Sequence, residues 1–141
     1  YYGDAIGPLV GSLLESYFKD SDINVVGTVD NPITACNMYE IFNRLEKDKE
    51  IVCIDAAIGE GDSGDIDVLD TGIAPRRAVD GNDKMVGDVS IVAYLKHDGN
   101  IHDTLANVDR EVIRKQAVFI AHVILKVENM FMEEGQDGFY R

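Results

Sequence analysis

The chain has 141 residues, 45% of them hydrophobic, and sets 13 basic against 26 acidic residues for a net charge of −13. That length and apolar content suit a single α/β domain over residues 1–141 with its own core. The acidic excess argues against a nucleic-acid partner, because no basic stripe could release counterions from a phosphate backbone. No stretch approaches the ~20 apolar residues of a membrane span, and no charged-then-apolar leader opens the chain; the reading is a soluble, cytoplasmic protein without a membrane partner.

In chain order, Gly3-Asp4-Ala5-Ile6-Gly7-Pro8 reads as a glycine-flanked turn running into a helix, with Pro8 at its first position, where a missing N–H costs nothing. Residues 1–3 leave no room for the strand that usually precedes such a turn, so an upstream first strand is the expected missing piece. Leu9, Val10, Leu13, Leu14, Tyr17 and Phe18 then recur at helical spacing. Residues 23–29 are β-branched and predict a strand. Asn31 and Pro32 predict the start of a second helix, with Ile33, Cys36, Ile41, Phe42 and Leu45 on one apolar face. Cys36 and Cys53, the only cysteines, read as buried reduced thiols.

The run 51–55, Ile-Val-Cys-Ile-Asp, predicts a buried strand of a parallel sheet that delivers Asp55 to the sheet's carboxyl edge, where open α/β sheets bind ligands. The glycines that follow, Gly59, Gly61 and Gly64, lack the Lys-Ser/Thr of a phosphate loop and stand among carboxylates. A short strand is expected at Ile66, Val68 and Leu69, a long polar connection over 71–85, and a strand over 86–95 with Asp88 near its start. Asn107 is the expected cap of a last helix whose Val108, Val112, Ile113, Ile120, Ile124, Val127 and Phe131 keep helical period for about six turns. Strands alternating with helices predict an α/β sandwich with a mainly parallel sheet.

Four motifs, Gly3-Asp4-Ala5-Ile6-Gly7-Pro8-Leu9-Val10-Gly11, Val26-Gly27-Thr28-Val29-Asp30-Asn31-Pro32, Cys53-Ile54-Asp55-Ala56 and Val86-Gly87-Asp88-Val89-Ser90-Ile91, resemble those of the YyaC-type sporulation proteins of Firmicutes. That family is similar in turn to the hydrogenase-maturation endopeptidases and the spore germination protease. The resemblance implies a three-layer αβα sandwich, with Asp4 and Asp55 in the positions of the germination protease's active-site acids. It also implies that Gly3, Gly7, Ala56 and Gly87 line the substrate pocket, and that the protein works in the cytoplasm or forespore on a protein or peptide. The maturation peptidases add a histidine that holds nickel. This chain has none in the Val86-to-Ile91 motif, where Asp88 is the only ionisable group, and His97 and His102 come later.

Two carboxylates within hydrogen-bond reach share a proton, so one can activate water while the other polarises a carbonyl. Spread wider, Asp4, Asp55 and Asp88 offer oxygen ligands to a divalent cation; with an imidazole the set admits zinc, manganese or nickel. The expected activity is therefore a peptidase-like hydrolase using paired aspartates, or, in another class, a non-catalytic interaction protein of sporulation that keeps the pocket for metal or peptide. Plainer readings stand beside these. Asp4 can be a helix cap, Asp88 a strand-entry residue bonding backbone amides, Arg76 and Arg77 salt-bridge formers, and His122 a partly buried packing residue of the long helix. Ser90 lacks a nucleophile elbow. Cys53 is read as pointing to the opposite face from Asp55, with no adjacent base. An uncovered sheet edge would favour a homo-oligomer.

Overall fold

The computed structural model describes residues 2–45, 47–59, 64–75, 77–96 and 99–136. A 3-10 turn, Tyr2–Ala5, leads directly into α1, Ile6–Phe18, and Pro8 lies in the first helical turn. Ile6, Val10, Leu14 and Phe18 form its buried stripe, one residue per turn, whereas Leu13 and Tyr17, expected on the core face, are exposed.

The second predicted helix is shorter than expected. α2 spans only Met38–Arg44, because Asn37 takes over the N-cap region. Its side chain accepts from the Thr34 amide at 2.7 Å and donates to the Pro32 carbonyl at 3.1 Å, holding the preceding residues in turns. Cys36 is consequently exposed rather than buried.

No ladder forms over 23–29, although Ile23 and Val25 pack against the core and alternate with exposed Asn24 and Val26. The period-two pattern sorts these side chains as a strand would, but the segment joins no ladder among the described residues. Thr28 donates to the Asn31 carbonyl at 3.2 Å, Val29 to Ser12 Oγ at 2.9 Å, and Lys49 to the Asp22 carbonyl at 2.7 Å.

Three strands, β1 (Val52–Gly59), β2 (Ile66–Leu69) and β3 (Val89–Lys96), form a sheet in the order β1-β3-β2. β1 and β3 run parallel, with Asp55 opposite Val92, while β2 is antiparallel to β3. The sheet is mixed rather than mainly parallel because the polar segment after β2 closes as a hairpin. Ile73 and Val86 exchange backbone hydrogen bonds of 2.9 and 2.8 Å, and a Cβ on Gly72 would lie 2.2 Å from the Val86 carbonyl oxygen. A hairpin must return antiparallel. The short helix α3, Arg77–Asp80, lies inside it.

Two further helices complete the chain. α4, Ile101–Ala106, is capped by Asn100, whose side chain accepts from the Asp103 amide at 3.0 Å. α5 spans Arg110–Gln136. Its start is held by Asp109, whose carboxylate accepts from the Glu111 amide at 2.9 Å, and not by Asn107.

One face of the sheet carries Ile54, Ala56, Ile58, Ile91, Ala93 and Leu95, packed with the buried stripe of α1 and with Ile113, Ala117, Ile120 and Ala121 of α5. This is the hydrophobic core of a mixed α/β fold. None of the helices among the described residues is long and apolar enough to cross a membrane.

Candidate functional site

Asp55 is the fourth residue of β1 and not its last, so it projects from the middle of a strand. β1 lies at the end of the sheet order. The Ala56 amide donates to Asp55 Oδ1 at 2.8 Å, so the carboxylate folds back on its own strand. Burial pushes the Asp55 carboxyl up from 3.8 to about 6; the Ala56 hydrogen bond opposes that rise, and the charge of Asp4 adds to it.

The proximity of the two acids follows from the packing of α1 on β1. A Cβ on Gly7 would lie 2.9 Å from the Ile54 carbonyl oxygen, so the first turn of α1 sits against the strand one residue before Asp55. Asp4, two residues before α1 begins, is exposed and near enough for its charge to raise the Asp55 carboxyl. The N-cap of α1 is Ala5 and it makes no side-chain capping bond. The structure thus brings together Asp4 and Asp55, with Gly7 and Ala56 beside them, and Gly3 within the same 3-10 turn.

Asp88 stands apart. It precedes β3, at the level of Ile51, four residues and about 13 Å along the strands from Asp55. Its Oδ2 accepts from the Ile51 amide at 2.8 Å, while its own amide donates to the Ile51 carbonyl at 2.9 Å. The strand-entry role therefore describes Asp88, and among the described residues no group of three or more His, Cys, Asp or Glu is arranged to hold a metal ion. Gly87 also belongs to this entry and not to the acid pair, for its φ is +84° and a Cβ there would lie 2.4 Å from Cys53 Sγ.

Cys53 corrects another expectation. Residues two apart on a strand share a face, so Cys53 lies on the same face as Asp55. Its buried thiol donates to the Val86 carbonyl at 3.5 Å and is pushed up to about 11, first by burial and then by the charges of Asp55 and Asp88. A thiol held so firmly protonated is a poor nucleophile. Ser90, opposite Cys53 in the ladder, is completely buried and its Oγ finds no hydrogen-bond partner among the described residues, which removes it from solvent and from nucleophilic use.

Of the other residues, Arg77 donates through Nε to Asp83 at 2.6 Å, a solvated ion pair. His102 and His122 are exposed, so His122 is not a packing residue. Arg76 and His97 lie outside the described residues. Asp67 and Tyr94 were not singled out by the sequence. The Tyr94 phenol is pushed up by its hydrogen bond to Asp67, and Asp67 stands in one cross-strand row with Val92 and Asp55. An acid alternating with Ile66 and Val68 on a short strand was the available signal.

Two shallow grooves, about 390 and 450 Å³, lie along the outer side of α5.

A family profile for DUF1256, proteins of unknown function, matches residues 1–124, and the chain belongs to that family. No curated protein and no solved structure matches the chain.

Proposed function

We propose that this protein is a peptidase-like hydrolase that uses Asp4 and Asp55 as a paired acid and base on a protein or peptide substrate. The single observation that carries the reading is the Asp55 carboxyl, raised to about 6 by burial with the charge of Asp4 adjacent. A carboxyl poised there exchanges a proton near neutrality, which an ordinary aspartate cannot do. In the reaction, water adds to the scissile carbonyl carbon and gives its proton to the ionised carboxylate. The protonated carboxyl hydrogen-bonds the carbonyl oxygen, and the leaving amine takes a proton as the C–N bond breaks. The resemblance of the Asp4 and Asp55 motifs to those of YyaC-type sporulation proteins supports the same reading, together with a three-layer scaffold and a role in spore formation or germination.

A divalent cation between Asp4 and Asp55 would need further ligands from substrate or water. Its chemistry there would be polarisation of the carbonyl. A second reading, a non-catalytic interaction protein of sporulation, is favoured by one observation: two shallow grooves run along α5.

The test is cleavage of a denatured-protein peptide library by the wild type and by Asp55→Asn, each with and without added divalent metal. Cleavage that is fastest near pH 6, lost in Asp55→Asn and indifferent to metal is the expected result. Cleavage that persists in Asp55→Asn overturns the paired mechanism, and no cleavage under any condition transfers the assignment to the interaction protein.

A further inference from the structure

α5 has 27 residues and is about 40 Å long. Its inner face is accounted for by Ile113, Ala117, Ile120 and Ala121 in the core. The opposite face mixes polar and apolar residues: beside Lys115, His122, Lys126 and Glu133 it exposes large apolar side chains. Val118, Phe119 and Met130 are 58%, 56% and 54% exposed, and Val123 flanks them at 38%. With aromatic side chains of 150–250 Å² and aliphatic ones somewhat smaller, these four present roughly 300–400 Å² of apolar surface, comparable with the largest apolar patch of a typical monomer. The two grooves run along this face and meet at His122.

We propose that this outer face of α5 is where two copies of the chain pair, their helices antiparallel and crossing near residue 124. Charge and spacing both select a second copy as the occupant. α5 carries four basic and four acidic residues, so the whole net charge of −13 lies elsewhere on the chain. Two such molecules repel one another through most approaches, and this helix is the neutral one.

The face is also self-complementary in sequence. Lys115, Val118, His122, Lys126, Met130 and Glu133 recur at three- and four-residue steps that read the same from either end. An antiparallel partner therefore sets Lys115 opposite Glu133, Val118 opposite Met130, and the His122 imidazole opposite the Lys126 ammonium, which can donate to it. A two-fold axis repeats each pairing, so every residue of the stripe finds its complement. Lysine stems add apolar contact toward the ~800 Å² per partner of a standard interface. An anionic lipid surface fits less well, because the chain as a whole is acidic and the helix offers no cationic excess.

Sedimentation equilibrium of the full chain over about a hundred-fold concentration range tests this, since a dimer responds to mass action. The expected result is a monomer–dimer equilibrium that Phe119→Glu converts to monomer. Lys115→Glu and Glu133→Lys should each weaken the dimer by about five- to tenfold, since each places two like-charge pairs in the interface. Mixing those two variants should restore wild-type affinity, because both contacts of the mixed dimer again join opposite charges. Circular dichroism should be unchanged in all three variants, whose altered residues are exposed. A wild type that stays monomeric throughout, a dimer indifferent to both charge reversals, or a mixture that fails to restore affinity overturns the proposal. So does binding of the monomeric wild type to phosphatidylglycerol vesicles that is lost in Phe119→Glu, which would assign the face to lipid.

Discussion

Asp55 and Asp88 stand beside adjacent parallel strands, each after or before a short apolar run, yet the fold uses them in different ways. Asp88 lies before the first ladder pair and spends its carboxylate on the Ile51 amide in solvent, in a reciprocal backbone clasp that starts β1 and β3 together. Asp55 is inside the ladder, where burial raises its carboxyl and the charge of Asp4 adds to the rise. An aspartate at a strand entrance meets spare amides and is held by a hydrogen bond to one of them. One carried into the strand meets desolvation and a second acid, and becomes a proton carrier.

The largest stability effect is expected on the Asp88 side. Gly87→Ala meets both a φ of +84° and a Cβ position 2.4 Å from Cys53 Sγ, and should cost about 3 kcal/mol in urea unfolding. A second change, Cys53→Ala, should recover the steric part and leave the backbone part.

On the Asp55 side the effect has the opposite sign and depends on pH. The folded protein holds the Asp55 proton more tightly than the unfolded chain between 3.8 and about 6, so stability falls as pH rises through that window and stays lower above it. Asp55→Asn should therefore stabilise the protein by on the order of 2 kcal/mol at pH 7, and by little at pH 4. Thermal unfolding at the two pH values reads the difference; an equal effect at both would mean that the carboxyl is not desolvated.

The smallest effect is expected from Asp88→Ala, which orphans one exposed amide and should cost about 1 kcal/mol. Peptide cleavage should be unaffected by it. A loss of cleavage equal to that of Asp55→Asn would show that the two aspartates work in one site after all.

Much of this was legible in the chain. The apolar run before Asp55, the helical period of α1 and α5, the short β2 and the turn at Asp4 all rest on local patterns that tertiary packing had no reason to overrule. Segment 23–29 shows the limit of such patterns, for its alternation sorted side chains inward and outward, but a strand also needs a partner for its backbone. β1 runs past the expected end at Asp55, because pairing with β3 carries the ladder on to Gly59 although alanines 56 and 57 and Gly59 have weak strand propensity.

By itself, the sequence determined the class of fold, the acidic surface, the neutrality of α5 and the two acids worth testing, since composition and periodicity are properties of single segments. Only the tertiary structure decided that Asp4 joins Asp55 while Asp88 does not, that the hairpin makes the sheet mixed, and that one apolar face of α5 is left outside the core. Those are outcomes of which backbones approach one another, and a close approach such as Gly7 against Ile54 depends on residues far apart in the chain.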